Sequence, residues 1–287
     1  MSTGCRLIEA DASLASAPTS GDGRDARATL ANPWPRRLSW SQVGSSRAVA
    51  GEPREWVVHD VPSPCVYLDG ETARLPLRLP ERRLSATELS ARLAAGDRRQ
   101  GILFYRPTCP SCRACEAIRI DVDRFRPSRA QRRIFRRGEV EITTSIGRPG
   151  VSAERVALYN RHKLERGLSA GEGPVDAGMY RELLAASCVD TFELLYRSAG
   201  VLVAVAISDR AADGLSAVYC YFDPSFSRLS PGAYSILKQV ELCRAWGLRY
   251  LYLGLHVRGC GPMQYKVGYL PHERLVGGAW RRFDAPV

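Results

Sequence analysis

Three apolar runs, TFELLYR, VLVAVAISD and LSAVYCYFD, follow one another from residue 191 to residue 223 with only SAG and AADG as turn-forming links. Links that short cannot carry a crossover, so the runs predict three consecutive antiparallel strands. Two helical segments, SAERVALYNRHKLERG and DAGMYRELLAAS, precede them. After them PGAYSILKQVELCRAWG has apolar residues at Ala233, Ile236, Leu237, Val240 and Cys243, a helical spacing. A strand at RYLYLGL, a short helical MQYKVG and a last strand near RLVGGAWRRF complete the half. Helices and strands in this order define an α+β protein.

The first half is less regular. Residues 1–50 are rich in Ala, Ser, Gly, Pro and Arg without sustained apolar periodicity, so they read as a mobile leader. SATELSARLAAGD predicts a capped helix ending near Gly96. GILFYRP and AIRIDVDRF read as strands, SRAQRRIFRRGEV as a basic helix stopped at Gly138, and EITTSI as a strand. Three units follow: a leader at 1–50, a cysteine-containing α/β unit at 51–140 and a catalytic unit at 141–287.

The 287 residues carry 45% hydrophobic and 25% charged side chains, the balance of a globular chain with a sizeable core. The first residues show no basic start followed by an apolar run, and no stretch reaches the roughly 18 apolar residues of a membrane span. A cytoplasmic protein with no membrane partner is expected, its nine cysteines reduced. Net charge is +11, and between Arg98 and Arg137 twelve arginines stand against Glu116, Asp121 and Asp123. Arginine-rich codon usage explains arginine over lysine but not a local excess of one sign, so a polyanion is the expected partner.

Cys109, Cys112 and Cys115 form a C-x2-C-x2-C turn stiffened by Pro107 and Pro110, a spacing that lets three thiolates converge on zinc or an iron-sulfur cluster. Position 119 is Arg, so a fourth ligand must come from elsewhere, and Cys65 is the nearby candidate. Structural or merely reactive thiols are the competing explanation. The order of elements in the second half matches the N-acetyltransferase-like acyltransferase fold, in which the junction after the third strand carries a glycine-rich loop for the pyrophosphate of coenzyme A. Here that junction reads Arg228-Leu-Ser-Pro231-Gly232-Ala233. Proline supplies no N–H, so coenzyme A binding is not expected, and Arg228 with Gly232 at the helix start offers an anion site that suits a tRNA 3′ end.

VPSPCVYL, RRQGILFYRPTCPSCRACEAIRIDVDRFRPSRAQRR, YNRHKLERG, LSAVYCYFDP, PGAYSILKQVELCRAWGLRYLYLGL and CGPMQYKVGYLPHERLVGGAW together resemble the arginyl-tRNA-protein transferase family, particularly its bacterial leucyl branch. They cover roughly residues 55–281 in the family's order. The resemblance implies transfer of leucine or arginine from a charged tRNA onto proteins with N-terminal Asp or Glu, marking the product for degradation. Two places depart from the family: Ser230-Pro231-Gly232-Ala233-Tyr234 at the helix start, and Leu255-His256 where an aromatic pair is usual.

An aminoacyl ester is already activated, and an α-amine with a pKa of about 8 needs no strong base. Asp223, Tyr219 and Tyr221 are candidates to position the amine or relay its proton; Tyr265 and Lys266 are candidates to stabilise the ester oxyanion or hold the terminal adenosine. Strand-end capping for Asp223 and core packing for the tyrosines compete with those roles. Arg98 and Arg99 match the family's paired arginines and suit an acceptor carboxylate, while Arg132 and Arg133 suit tRNA phosphates. Two rival functions remain: a coenzyme A-dependent acetyltransferase, and a non-catalytic metal-dependent nucleic-acid-binding module. Oligomeric state is not legible.

Overall fold

The computed structural model describes residues 46–47, 53–169 and 172–286, so the leader expected over residues 1–50 lies outside the described residues except for Ser46 and Arg47. The first half contains β1 (Ser46–Arg47), β2 (Glu55–His59), β3 (Ser63–Pro64), β4 (Thr72–Ala73), β5 (Leu77–Pro80), α1 (Ala86–Ala94), β6 (Arg98–Gln100), β7 (Leu103–Tyr105), β8 (Cys115–Asp121), α2 (Arg129–Glu141) and β9 (Thr143–Gly147). The second contains α3 (Ala153–Glu165), α4 (Ala177–Tyr180), β10 (Thr191–Ser198), β11 (Val201–Arg210), β12 (Gly214–Phe222), α5 (Pro231–Ala245), β13 (Tyr250–Val257), β14 (His272–Val276) and β15 (Ala279–Phe283). Among the described residues no helix is long and apolar enough to cross a membrane.

The protein is α+β, built on an eight-stranded mixed sheet of order β15-β14-β8-β13-β12-β11-β10-β9 and a five-stranded sheet of order β1-β2-β5-β7-β6. The predicted β10-β11-β12 meander forms, antiparallel throughout. Among the described residues only β12 and β13 pair in parallel, and α5 between them supplies the long crossover that parallel pairing requires. One face of the large sheet buries Ile118, Ile120, Leu194 and Leu253 against Phe135 of α2 and Ile236, Leu237 and Val240 of α5. The other face buries Val205, Ile207, Tyr219 and Tyr221 against Leu158 and Tyr159 of α3 and Tyr180 of α4. Each fully buried aliphatic side chain among them contributes about 1.5–3 kcal/mol by leaving water.

Three expectations change. The helix expected to stop at Gly138 runs on to Glu141. Gly138 is buried with its Cα against the Tyr234 ring, where any side chain would collide, so this glycine serves helix packing rather than termination. The single last strand is a hairpin, β14 and β15, turned by Gly277 and Gly278, both at positive φ. Finally, the unit boundary expected at 140 runs through one sheet. β8, which follows the cysteines, pairs with both β13 and β14 in the sheet interior, because its residues from Glu116 on are buried on both faces.

Candidate active site

β12 and β13 stay paired only from Gly214–Ser216 to Tyr250–Tyr252. Past that point the register of β12 against β11 shifts near Ser208, and that of β13 against β8 shifts between Tyr252 and Leu255. Gly254, inside the second irregularity, has φ of +87°, and its Cα lies against the Arg98 guanidinium. The two strands therefore splay, and a cleft of about 490 Å³ opens in the splay. Ala217, Tyr219, Cys220 and Phe222 line it from β12, and Leu253 and Leu255 from β13. Gly232 and Ala233 at the start of α5 close one end, and the 3-10 segment Gly261–Gly268 contributes Met263, Tyr265 and Lys266. From the first half, Tyr67, Arg98, Tyr105 and Gln131 complete the wall.

The cleft gathers some of the residues expected from sequence and leaves others out. Tyr219 lines it, with its ring 5.8 Å from that of buried Tyr159. Tyr265 is 49% exposed, and Lys266 is buried with Nζ donating to the Leu255 carbonyl at 2.7 Å. Tyr221, two residues on from Tyr219, is fully buried, and its hydroxyl meets that of Tyr180 at 2.5 Å. Burial raises the pKa of the Tyr221 phenol well above the ordinary value, so it stays neutral inside the α3 face.

Asp223 does not line the cleft. Its Oδ1 accepts from the Ser225 N–H at 2.9 Å and the Ser225 hydroxyl at 2.7 Å, capping the 3-10 turn Pro224–Leu229, and its Oδ2 is 2.5 Å from Arg161 Nη1. Burial works to raise this carboxyl's pKa, but Ser225 and Arg161 outweigh it and hold the group below the usual range. A carboxylate so engaged, off the cleft wall, caps the end of the strand, the competing role expected for it. Arg228 is likewise off the cleft, exposed and paired with Glu141 at 2.6 Å.

The two adjacent arginines divide. Arg99 is buried, its fork bonded to both oxygens of Asp209 at 2.7 Å and further held by the Gly101 carbonyl. Its guanidinium is saturated by the protein itself. Arg98 points into the floor of the splay, between Gly254 and the Ala217 carbonyl and beside Tyr105. No carboxylate pairs with it among the described residues. Both arginines stand around the cleft, but Asp209 claims the guanidinium of Arg99 alone, a difference the doublet does not show.

Arg132 and Arg133 are exposed on α2 with Arg129 and Arg136. Ser128 and Gln131 form the capping box of this helix, and Gln131 Nε2 also donates to the Gly268 carbonyl at 3.1 Å, which fixes the start of the basic helix to the cleft edge. At the N-terminus of α5, Ser230 (φ +50°) makes no side-chain cap and Pro231 occupies the first turn, so the Gly232 and Ala233 N–H groups face the cleft end. Sequence reasoning missed Tyr67, Tyr105, Gln131 and Arg166, cleft residues that come from four different elements or loops and share no spacing.

Cys115 opens β8, and Arg113 ties the preceding turn by donating to the Cys109 and Cys112 carbonyls. The Cys115 thiol is pushed up to about 12, first by burial and then by the neighbouring Cys109, Cys65 and Cys112. The four sulfurs thus share one locality. Among the described residues, however, no three His, Cys, Asp or Glu side chains close around a common point in metal-binding geometry. The donor set fits a thiophilic metal in kind, and its sulfurs are neighbours without being gathered into a coordinating arrangement.

The family description "Arginine-tRNA-protein transferase, N terminus" matches residues 63–133, and "Arginine-tRNA-protein transferase, C terminus" matches residues 154–276. The chain is 40% identical over 220 residues to an aspartate/glutamate leucyltransferase of Chromobacterium violaceum, covering 77% of this chain and 90% of that one. It is 37% identical to the enzyme of the same name from Aeromonas hydrophila, covering 77% and 92%. Among solved structures, L-PGS from Bacillus licheniformis aligns with 59% of this chain and 58% of that one, at 16% identity and a TM-score of 0.42.

Proposed function

Because the chain belongs to the arginine-tRNA-protein transferase family, in its bacterial aspartate/glutamate leucyltransferase branch, we propose that it moves leucine from charged tRNA onto the N-terminus of proteins beginning with Asp or Glu. It is an aminoacyltransferase. The observation that carries the finer reading is the cleft's two-sided lining. Leu253, Leu255, Met263 and Ile236 offer an apolar seat for a leucyl side chain, while Arg98 in the floor offers a guanidinium fork to an acceptor carboxylate. The splay and the β-β-β-α-β order support an N-acetyltransferase-like core for this site.

The reaction is aminolysis of an ester. The acceptor α-amine attacks the aminoacyl carbonyl, a C–N bond forms, the ester C–O bond breaks, and the tRNA 3′ hydroxyl leaves with a proton lost by the amine. Tyr219 and Tyr265 stand at the cleft wall to bond the carbonyl oxygen or pass that proton, and Lys266, tethered to Leu255, adds positive charge where the oxyanion develops. The Gly232 and Ala233 N–H groups suit the terminal phosphate of the tRNA, and the α2 arginines suit the phosphates that follow. Pro231 gives no N–H in that first turn, which disfavours coenzyme A.

The four thiols would hold zinc or an iron-sulfur cluster, which when bound would pin the loop before β8 and supply no step of the transfer. A cytoplasmic site and a role in marking proteins for degradation belong to the same proposal.

The deciding assay mixes the purified protein with leucyl- and arginyl-tRNA and with peptides beginning Asp, Glu or Ala. Leucine transfer to the acidic peptides alone is the expected result. Arginine transfer reassigns the donor pocket, acetyl transfer from coenzyme A overturns the donor class, and tRNA binding without transfer leaves only the binding module.

A further inference from the structure

The 3-10 segment Gly261–Gly268 carries Tyr265 and Lys266 into the cleft, anchored from within by buried Met263 and Val267 but with a backbone that is weakly held. It is eight residues long, its first position has no side-chain cap, and it starts beyond Gly259 at φ of +87°. Runs of 3-10 helix beyond three or four residues are uncommon because their hydrogen bonds are poorly aligned. Such a segment needs tethers from outside.

β13 supplies two. Lys266 Nζ donates to the Leu255 carbonyl at 2.7 Å, and the next strand residue, His256, faces Gln264 Oε1 with its Nε2 at 3.4 Å. His256 is 1% exposed. Its other nitrogen, Nδ1, lies 3.4 Å from Arg274 Nη1, and Arg274 is buried and paired with Glu116 at 3.2 Å. An arginine can only donate, so Nδ1 accepts and the ring proton sits on Nε2, pointed at Gln264. The tautomer is thus set by a buried ion pair on β8 and β14, and its consequence is felt at the 3-10 segment.

We propose that His256 is a positioning residue: together with Lys266 it clamps residues 264 and 266 onto β13 and so fixes where Tyr265, between them, stands in the cleft. The inference rests on the reading that this cleft performs the transfer and that Tyr265 touches the aminoacyl end. Neighbouring charges that bear on the clamp are Glu116, Arg258, Lys266, His272 and Arg274.

The test has two readouts. Backbone amide exchange over residues 261–268 should quicken in His256→Leu, and return toward wild type in His256→Gln, whose amide can both donate to Gln264 and accept from Arg274. Unchanged exchange in a folded His256→Leu protein overturns the clamp whether or not any transfer is observed. With saturating charged tRNA, the single-turnover rate should fall roughly ten- to a hundredfold in His256→Leu and recover in His256→Gln, with tRNA affinity unchanged. In a Tyr265→Ala background His256→Leu should bring no further loss. Losses that multiply, or a glutamine variant as slow as leucine while equally folded, would show that His256 does not act through Tyr265. Wild type that transfers from no charged tRNA sinks the functional reading, and the exchange data then decide the clamp alone.

Discussion

At the scale of single residues, the contrast between Arg98 and Arg99 shows how identical side chains acquire different roles from what surrounds them. Removing the Arg99 fork leaves Asp209 buried with only the Thr191 hydroxyl on it, an uncompensated charge that costs about 3–5 kcal/mol. Arg99→Ala should therefore lower the unfolding midpoint sharply and reduce all activities together. Arg98→Ala should leave the midpoint nearly unchanged and raise KM for acceptors with N-terminal Asp or Glu about tenfold or more, with charged-tRNA binding intact. The reverse pattern, a stable Arg99→Ala protein with altered acceptor choice, would return the reading role to Arg99. Thermal melts and steady-state kinetics on the two variants separate these outcomes.

At the scale of elements, α2 combines packing and charge on opposite sides. Gly138 and Phe135 face α5, where Phe135 stacks on Tyr234 at 5.9 Å, while Arg129, Arg132, Arg133 and Arg136 face solvent. The helix is held by its buried side, so the arginines can be changed without unfolding it. If they follow the tRNA backbone, each phosphate contact releases counterions and affinity falls steeply with salt. Replacing Arg132 and Arg133 together with Ala should flatten the plot of log affinity against log salt by roughly one to two units and leave the preferred amino acid unchanged. An undiminished slope would mean that the tRNA runs elsewhere. The turn before β8 makes a second element-scale prediction. Protein purified without oxygen should contain zinc or iron, and Cys115→Ser should lower its content; metal-free protein with all four thiols titrating would refute the ligand set.

At the scale of the whole molecule, two buried histidines tie stability to pH. His162 and His272 are 1% and 0% exposed, and burial lowers both to about 4. Their folded pKa lies below the ordinary 6.5, so as pH falls the unfolded chain takes up protons first. Stability from these groups is complete above about pH 6.5 and is lost progressively down to about pH 4, a few kcal/mol in all. Glu193 works against the loss, since burial raises its carboxyl above the usual range, but its partner Arg155 limits that shift. Urea midpoints should therefore decline between pH 7 and pH 4.5, and His162→Gln should remove part of the decline. A flat profile would show that both rings find a proton-accepting partner in the folded state.

Local signals were enough for most elements. The short links between apolar runs set the β10-β11-β12 meander, capping residues placed α1, and Pro231 marked the first turn of α5, because each of these depends on a few consecutive residues. The distributed matches to a known family were also legible, and the comparisons agree with them. What the chain could not announce was anything fixed by contacts distant in sequence. Gly138 looks like a helix stop until Tyr234, 96 residues later, is seen against it. Whether Asp223 caps its strand is not legible until Arg161 and Ser225 are seen on its oxygens, and Arg98 and Arg99 look alike until Asp209 claims one of them. The cleft itself is a loss of pairing between two strands, and its lining comes from both halves of the chain. Sequence patterns specify which faces are apolar, whereas the partners that saturate a polar group are chosen only when the sheet is assembled.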